Sequence, residues 1–191
     1  MFCQRSLTAV AIFALGLAAL IAPTGPAVAS PGGSGAAVGG FAAEARKAGL
    51  TGAEAAQLQS RVDQRLAQAG GRQVAANKIE YGSGSYLLLN LPGEKYAREL
   101  GQSIGTQATC TYLYFCAWGG PNYTLEKRAE SRCSRLITMP WSGTGSWINN
   151  QTQLTQAAFL RADYSVYTYT LGAYSAQPYQ NWQPIYYVDP C

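Results

Sequence analysis

The sequence predicts a mainly β protein with an N-terminal helical segment and two disulfides. In residues 102–191, short runs of β-branched and aromatic residues alternate with Gly, Pro, Asn and Ser turns, which is typical of an all-β sandwich or barrel. In residues 51–69, apolar residues recur at three- and four-residue spacing, which predicts a helix. The third observation is the even number of cysteines in the second half of the chain, which favours paired cysteines.

The first 29 residues have the three parts of a secretory signal peptide. Arg5 supplies a positive charge, residues 7–22 are apolar and uncharged, and small residues precede a cleavage site between Ala29 and Ser30. A membrane-spanning helix needs about 20 apolar residues, whereas this run is shorter and is followed by Pro and Gly. We therefore expect residues 1–29 to be removed and the rest to be secreted to the extracellular space, without a stable membrane anchor.

Between the signal peptide and the β region, the composition predicts a linker and then two helices. Residues 30–40 are rich in Gly, Ser and Ala, which is the composition of a flexible linker. A short helix is expected over 41–48. A longer helix is predicted over 52–68, because Thr51 and Glu54 have the spacing of a capping box ahead of the apolar stripe.

A β-hairpin is expected after the longer helix, with strands over 73–81 and 86–91 around a Gly-Ser-Gly turn. A short helix over 94–100 would complete this helix-and-hairpin segment, which we assign to 41–101. The remaining residues, 102–191, form the predicted β domain. Its candidate strands are residues 115–118, 136–139, 146–149, 156–161, 165–170 and 185–188.

Four cysteines remain after the predicted signal peptide: Cys110, Cys116, Cys133 and Cys191. An exported chain meets an oxidising environment, so two disulfides are expected, and four cysteines allow three pairings. We favour Cys110–Cys116, which closes a tight local loop, and Cys133–Cys191, which ties the last residue to the domain. Metal binding is the alternative, but the chain has no histidine and no CxxC pair, so we predict no metal site and no cofactor.

Two stretches of the β region carry the motifs of a known family. A C-x5-C loop leads into Trp118, Tyr123 follows five positions later, and a Ser-x-x-Asn stretch comes later at Ser146 and Asn149. The chain resembles exported actinobacterial proteins grouped with the Streptomyces metalloproteinase inhibitor, whose fold is a βγ-crystallin-like Greek key. The resemblance implies that fold here, and a peptidase inhibitor as the function. Leu125 stands where the family motif has Gly. The sequence does not match the crystallin calcium motif, so the resemblance does not imply a calcium site here.

The composition argues against an enzyme. The chain has no histidine, which excludes Ser-His and Cys-His catalysis, and its cysteines are expected to be paired. In the β region, Glu126 and Glu130 belong to a run of charged residues, 126–130, which we interpret as a solvated loop and not as an acid pair. The formal net charge is only +4 and the basic residues are scattered, so no nucleic-acid partner is expected.

Tyrosine and tryptophan are frequent near the C-terminus. Candidate binding aromatics are Tyr164, Tyr167, Tyr169, Tyr174 and Trp182, which would form a stacking platform for sugars or a hot-spot surface for a protein. The alternative, which we weigh more heavily, is that they fill the core and pair across strands, because a domain of this size needs core volume.

Two functions therefore remain as expectations. The first is a secreted, non-enzymatic peptidase inhibitor that presents a rigid, disulfide-clamped loop to a secreted peptidase. The alternative is a module with an aromatic-rich surface that binds cell-wall glycan or another protein. The sequence also leaves open that residues 41 to about 100 are a removable, propeptide-like chaperone for the β domain.

Overall fold

Two α-helices, one short 3-10 helix and eleven strands lie in the described part of the computed structural model, which covers residues 35–102, 109–133 and 135–191. The predicted signal peptide and its cleavage site between Ala29 and Ser30 lie outside these residues. Within the described residues, no helix is both long and apolar enough to cross a membrane.

The two helices are α1, Gly35–Lys47, and α2, Gly52–Ala69. The predicted capping box is present at the start of α2: the Glu54 N–H donates to Thr51 Oγ1 (3.2 Å), and the Thr51 N–H donates to Glu54 Oε2 (2.9 Å). The α2 prediction is confirmed. The linker predicted over 30–40 is instead helical in its second half, where each residue added to an existing helix gains a hydrogen bond.

The strands form two antiparallel sheets. In chain order they are β1 Arg72–Ala75, β2 Lys78–Glu80, β3 Ser85–Leu88, β4 Tyr114–Gly120, β5 Thr124–Glu130, β6 Ile137–Thr138, β7 Thr144–Asn150, β8 Ala158–Leu160, β9 Val166–Tyr169, β10 Ser175–Asn181 and β11 Tyr187–Asp189. The large sheet has seven strands in the order β1-β2-β3-β5-β4-β7-β10, and the small sheet has four in the order β6-β11-β8-β9. The mainly β prediction is confirmed, and all six candidate strands of the β region overlap observed strands.

The segment after α2 forms three strands and not a simple hairpin. The strand predicted over 73–81 divides into β1 and β2, because the chain turns at Asn77, whose Nδ2 donates to Leu89 O (2.8 Å). β3 then pairs with β5. The large sheet therefore runs without interruption from the 41–101 segment into the 102–191 segment.

Residues 94–100 are not helical, so the prediction of a short helix there is wrong. Tyr96 forms a parallel bridge with Leu125, and the Leu125 N–H donates to Lys95 O (2.8 Å). The backbone of this segment therefore forms hydrogen bonds with β5 instead of the internal hydrogen bonds of a helix.

The charged run 126–130 is a buried strand, so the prediction of a solvated loop is wrong. It forms most of β5, which lies between β3 and β4 in the large sheet. Glu126, Arg128 and Glu130 alternate along β5, share one face and are at most 6% exposed. The Arg128 guanidinium lies 4.0 Å from the centroid of the Tyr81 ring, a cation–π contact.

Glu126 shows why charged residues are tolerated in this strand. Its carboxylate accepts hydrogen bonds from Arg61 (3.1 Å) and Arg65 (3.0 Å) of α2, and from Trp141 Nε1 (3.2 Å). A buried carboxylate is costly unless it is paired and hydrogen-bonded, and here it is both. The physical reason for the wrong loop prediction is that α2 supplies the counter-charges from far along the chain.

Two apolar clusters lie on the same face of the large sheet. The cluster between the two sheets includes Phe115, Trp147, Phe159, Trp182 and Val188. The cluster beneath the helices includes Leu58, Val62, Ile79, Leu87 and Leu89. Leu87, Arg128 and Ala117 follow one another in a cross-strand row, so the charged side of β5 lies between the two clusters.

Both favoured disulfides are present. Cys110 pairs with Cys116, with the Cα atoms 5.8 Å apart, and Cys133 pairs with Cys191, with the Cα atoms 4.8 Å apart. Disulfides persist in oxidising compartments, so this pair of bonds indicates a non-reducing environment.

The chain turns between β4 and β5 through a short 3-10 helix, Pro121–Tyr123, and Leu125, the second residue of β5, has a φ of 66°. That is the left-handed region, where Gly is favoured because it has no Cβ. Ser146 Oγ ties the corner to β7, since it donates to Gly120 O (2.8 Å) and accepts from the Tyr123 N–H (2.8 Å). Hydrogen bonds therefore hold the bend here in place of glycine's conformational freedom.

Candidate functional site

The shorter disulfide encloses a tight β-turn, which we name the clamped turn (residues 110–116). The Tyr114 N–H donates to Thr111 O (3.1 Å), so Tyr112 and Leu113 are the two central residues. Leu113 has a φ of 76°, at the position where a type II turn usually has Gly. Backbone strain of this kind persists only where the surrounding structure fixes it.

The clamped turn is fixed by β7 as well as by its disulfide. The Leu113 N–H donates to Asn150 O (2.8 Å), and Asn150 Nδ2 donates to Cys110 O (2.8 Å). A covalent bond, a main-chain hydrogen bond and a side-chain hydrogen bond therefore hold this short segment. The turn is preorganised, and little conformational entropy remains to be lost when a partner binds it.

The tip of the clamped turn exposes two large apolar side chains. Tyr112 is 61% exposed and Leu113 is 47% exposed. Rigid aromatic and aliphatic side chains are the groups that fill pockets on a protein partner, because their burial gains hydrophobic free energy. The clamped turn therefore has the properties of a recognition loop. The sequence predicted its disulfide, but the exposure of these two residues was not predicted.

A second exposed surface lies on the outer face of the small sheet, and we name it the tyrosine face. Its members are Tyr164 and Tyr169, which are exposed, and Tyr187, which is half-buried. Tyr169 and Tyr187 pair with Ala158 and Leu160 of β8, which are two residues apart and so share a face. The Tyr164 ring stacks on the Tyr187 ring at 4.7 Å, with an interplanar angle of 13°. The neighbouring Tyr164 side chain favours the protonated form of Tyr187 and so raises the pKa of its hydroxyl.

Tyr167 and Tyr174, also predicted as binding aromatics, are exposed but stand apart from the tyrosine face. Tyr167 lies at an irregularity of β9, and its ring centroid is 5.0 Å from the Arg161 guanidinium. Tyr174 precedes β10 of the large sheet and is 67% exposed. The alternative prediction, that these tyrosines fill the core, is therefore wrong for Tyr167 and Tyr174, and it is also wrong for Tyr164 and Tyr169.

Trp182 does not belong to any exposed surface, so its prediction as a binding aromatic is wrong. It is 1% exposed and packs in the cluster between the sheets, with its ring centroid 5.6 Å from that of Phe159. Its Nε1 donates to Trp118 O (2.9 Å). For this residue the core interpretation is confirmed, because both its ring and its polar atom have partners inside the protein.

Three residues of the family motif lie near the β4–β5 corner, whereas Asn149 lies farther along β7, opposite Phe115 of β4, and all four have structural contacts. Trp118 and Tyr123 meet edge to face, with ring centroids 5.4 Å apart. Ser146 braces the corner, as described above, and Asn149 Nδ2 donates to Thr155 O (2.7 Å). Trp118, Ser146 and Asn149 are buried, so these three residues position the exposed turns and do not offer a binding surface.

A cavity of about 520 Å³ lies on the face of the large sheet opposite to α2. Its lining includes Tyr86, Tyr96, Glu99, Thr111, Trp118 and Lys127. Lys127 belongs to the buried charged run and is 6% exposed. Its Nζ donates to Thr109 O (2.6 Å) and lies 5.7 Å from the ring centroids of both Tyr86 and Trp118.

Burial lowers the pKa of Lys127 from 10.5 to about 8, with Glu99 opposing this effect and Lys78 adding to it. Between pH 8 and pH 10 the unfolded chain therefore binds more protons at this residue than the folded chain, so stability rises with pH across that window. Above this window Tyr86, whose pKa burial raises to about 12, acts in the opposite direction.

Lys127→Met is expected to raise the free energy of unfolding at pH 7 by about 1 to 3 kcal/mol, because it removes a buried, poorly compensated charge at similar volume. It should also flatten the rise in stability between pH 8 and pH 10. Urea unfolding at several pH values measures both effects. The control is Lys47→Met on the exposed side of α1, which should change neither quantity. A destabilised Lys127→Met variant would contradict this account of Lys127.

Comparisons of the chain with protein-family models, with curated proteins and with solved structures find no match. The fold and the surfaces define a mainly β protein with two disulfides, a disulfide-clamped turn that exposes Tyr112 and Leu113, and a tyrosine face. Its function is therefore argued from those surfaces.

Proposed function

We propose that this protein is a secreted peptidase inhibitor and that the clamped turn is the part that enters the peptidase cleft. The observation that carries the proposal is the exposure of Tyr112 and Leu113 at the tip of a turn that a disulfide and β7 hold in place. The resemblance of the surrounding motif to an inhibitor family supports the same function.

We also propose a specific fold within the mainly β class, a βγ-crystallin-like Greek key. Three features of the β4–β5 corner support it: the edge contact of Trp118 with Tyr123, the hydrogen bonds of Ser146, and the positive φ of Leu125 where the family motif has Gly. All three features are expected if these residues have the same structural roles as the corresponding residues of the family.

The backbone of the clamped turn differs from that of a peptidase substrate. Peptide segments bound in clefts are commonly extended, so that their main chain pairs with the edge of the cleft. In the clamped turn a hydrogen bond joins Tyr114 to Thr111, and a disulfide closes the same segment. The turn can therefore fill a cleft with Tyr112 and Leu113 without presenting an extended peptide bond for cleavage.

Tyr112→Ala is expected to raise the inhibition constant about 30-fold, which corresponds to about 2 kcal/mol for an aromatic hot-spot residue. The residual activity of a panel of metallo- and serine peptidases, titrated with purified protein, measures the effect. Tyr179→Ala is the matched control, because both tyrosines are 61% exposed while Tyr179 lies on β10.

The companion pair is Leu113→Ala and Leu154→Ala, since both leucines are exposed and have positive φ values of 76° and 70°. We expect weaker inhibition from the first variant and wild-type inhibition from the second. A wild-type protein that leaves every peptidase of the panel fully active would overturn the proposal. Equal inhibition by wild type and Tyr112→Ala would overturn the role of the turn.

The tyrosine face favours a second candidate function, binding to cell-wall glycan. Tyr164 and Tyr169 are 60% and 58% exposed, and no other part of the described chain covers them. Tyrosine rings offer an apolar face for the C–H side of a sugar and a hydroxyl for its polar edge. Exposed aromatic groups of this kind on a rigid sheet mark interaction sites.

Co-sedimentation with isolated cell wall tests this second function. Tyr164→Ala with Tyr169→Ala should abolish retention, whereas Tyr112→Ala should not change it. The two functions are therefore separable in one set of variants, because each surface is removed without touching the other. Retention that survives the double substitution would contradict a role for the tyrosine face.

A further inference from the structure

The cavity around Lys127 is distinct from the exposed tip of the clamped turn and from the tyrosine face. It borders the clamped turn at Thr111, but it contains neither Tyr112 nor Leu113, and it lies on the other sheet from the tyrosine face. A volume of about 520 Å³ is within the range of small-molecule sites. The cavity is therefore large enough for one sugar-sized ligand.

Among the residues that the structure describes, the ammonium group at the floor of this cavity has one hydrogen-bond partner. Lysine has three N–H donors, and Lys127 directs one of them to Thr109 O at 2.6 Å. All ten acidic residues of the chain lie within the described residues, and none forms an ion pair with Lys127. Glu99, which also lines the cavity, is already paired with Lys78 (2.7 Å).

A buried lysine without a carboxylate partner reduces the stability of the folded chain. The counter-charge can instead come from a ligand. A carboxylate placed beside Nζ would accept the two remaining donors and would be held by charge-assisted hydrogen bonds. Lys127 at the floor of the cavity therefore favours a ligand with an anionic group.

The side chains that form the walls of the cavity favour a ligand whose remaining part is a polar ring. Tyr86, Tyr96 and Trp118 supply aromatic surface. Glu99 and Thr111 supply hydrogen-bonding groups at the sides. Aromatic rings combined with several polar side chains suit a hydroxylated ring better than an alkyl chain, which would leave the polar groups unpaired.

We propose that this cavity binds a sugar acid, with the ligand carboxylate on Lys127 Nζ and the sugar ring against the aromatic wall. Calorimetric titration with glucuronate, glucose and acetate tests it on the full chain. Glucuronate should bind at least about tenfold more tightly than glucose, which lacks the charge, and than acetate, which lacks the ring. Equal affinities for glucuronate and either other compound, or no binding of glucuronate, would overturn the proposal.

Substitution then assigns the binding to the lysine. Lys127→Met should weaken glucuronate binding by about tenfold or more, whereas Lys47→Met should bind as wild type. Undiminished binding by Lys127→Met would show that the carboxylate is held elsewhere, and it would reject the site.

A labelling experiment on the wild-type chain decides the question if Lys127→Met does not fold. Lysine acetylation followed by peptide mass spectrometry reports the reactivity of each ammonium group. Glucuronate should slow the acetylation of Lys127 and leave that of Lys47 unchanged, and glucose should slow neither. Identical acetylation of Lys127 with and without glucuronate would reject the proposal.

Discussion

Gly145→Ala is expected to lower the free energy of unfolding by about 3 to 5 kcal/mol, combining an overpacking cost with a lost buried hydrogen bond. Gly145 lies on β7, where the Trp182 indole and Trp118 O pack directly against its Cα. A methyl group there would overlap both. The indole would have to move, and it would lose its hydrogen bond to Trp118 O (2.9 Å) and its place between the sheets.

The measurement is urea unfolding followed by tryptophan fluorescence, to which the displaced indole contributes together with three other tryptophans. Gly52→Ala at the start of α2 is the control, because no atom lies within 4 Å of its added methyl group. That variant should be as stable as wild type or slightly more so, since Ala is a better helix former than Gly. Equal stabilities of Gly145→Ala and wild type would contradict the packing described for Trp182.

The second large effect is expected from removing the longer disulfide. Cys133 and Cys191 are 58 residues apart, and a loop of that length lowers the entropy of the unfolded chain by an amount worth about 4 kcal/mol. The Cys133→Ala/Cys191→Ala double variant should lose roughly that much stability. Equilibrium unfolding in urea, with the reduced wild-type protein alongside, measures the loss.

The shorter disulfide provides the comparison. Cys110 and Cys116 are six residues apart, and the same entropy argument predicts a loss of about 2 kcal/mol for Cys110→Ala/Cys116→Ala. The shorter bond should instead matter for inhibition, because it fixes the clamped turn. Equal losses of stability from both double variants would show that loop entropy does not govern the effect.

Elements with a local signal could be predicted from the sequence. The capping box at Thr51 and Glu54 located α2 to within one residue of its observed end, because both the start signal and the apolar stripe are contained in the helix itself. The disulfides followed from the count of cysteines and the position of Cys191. Neither inference required knowledge of distant contacts.

Strand β5 could not be recognised from its own residues. Its burial depends on Arg61 and Arg65, which lie 65 and 61 positions before Glu126 in the chain. The available signal was its position directly after a predicted strand and a Gly-Gly-Pro-Asn turn, which favours the returning strand of a hairpin. Lys127 was missed for the same reason, since a residue assigned to a solvated loop is not considered for a cavity.

The aromatic residues show a different limit of sequence reasoning. The sequence predicted a strand over residues 165–170, but it could not predict which face of that strand another sheet covers. Tyr169 lies on the uncovered side, whereas Trp182 is enclosed because it lies where the two sheets meet. Exposure depends on how the layers stack, and no local pattern encodes that.

The bond between Cys133 and Cys191 also makes the last third of the protein a covalent ring. Strands β6 to β11 all lie between these two cysteines, so the whole small sheet is enclosed by it. A single nick in any loop of this ring would leave both fragments attached to each other and to the rest of the chain. A protein proposed to act among peptidases would therefore stay in one piece after a single cleavage in this region.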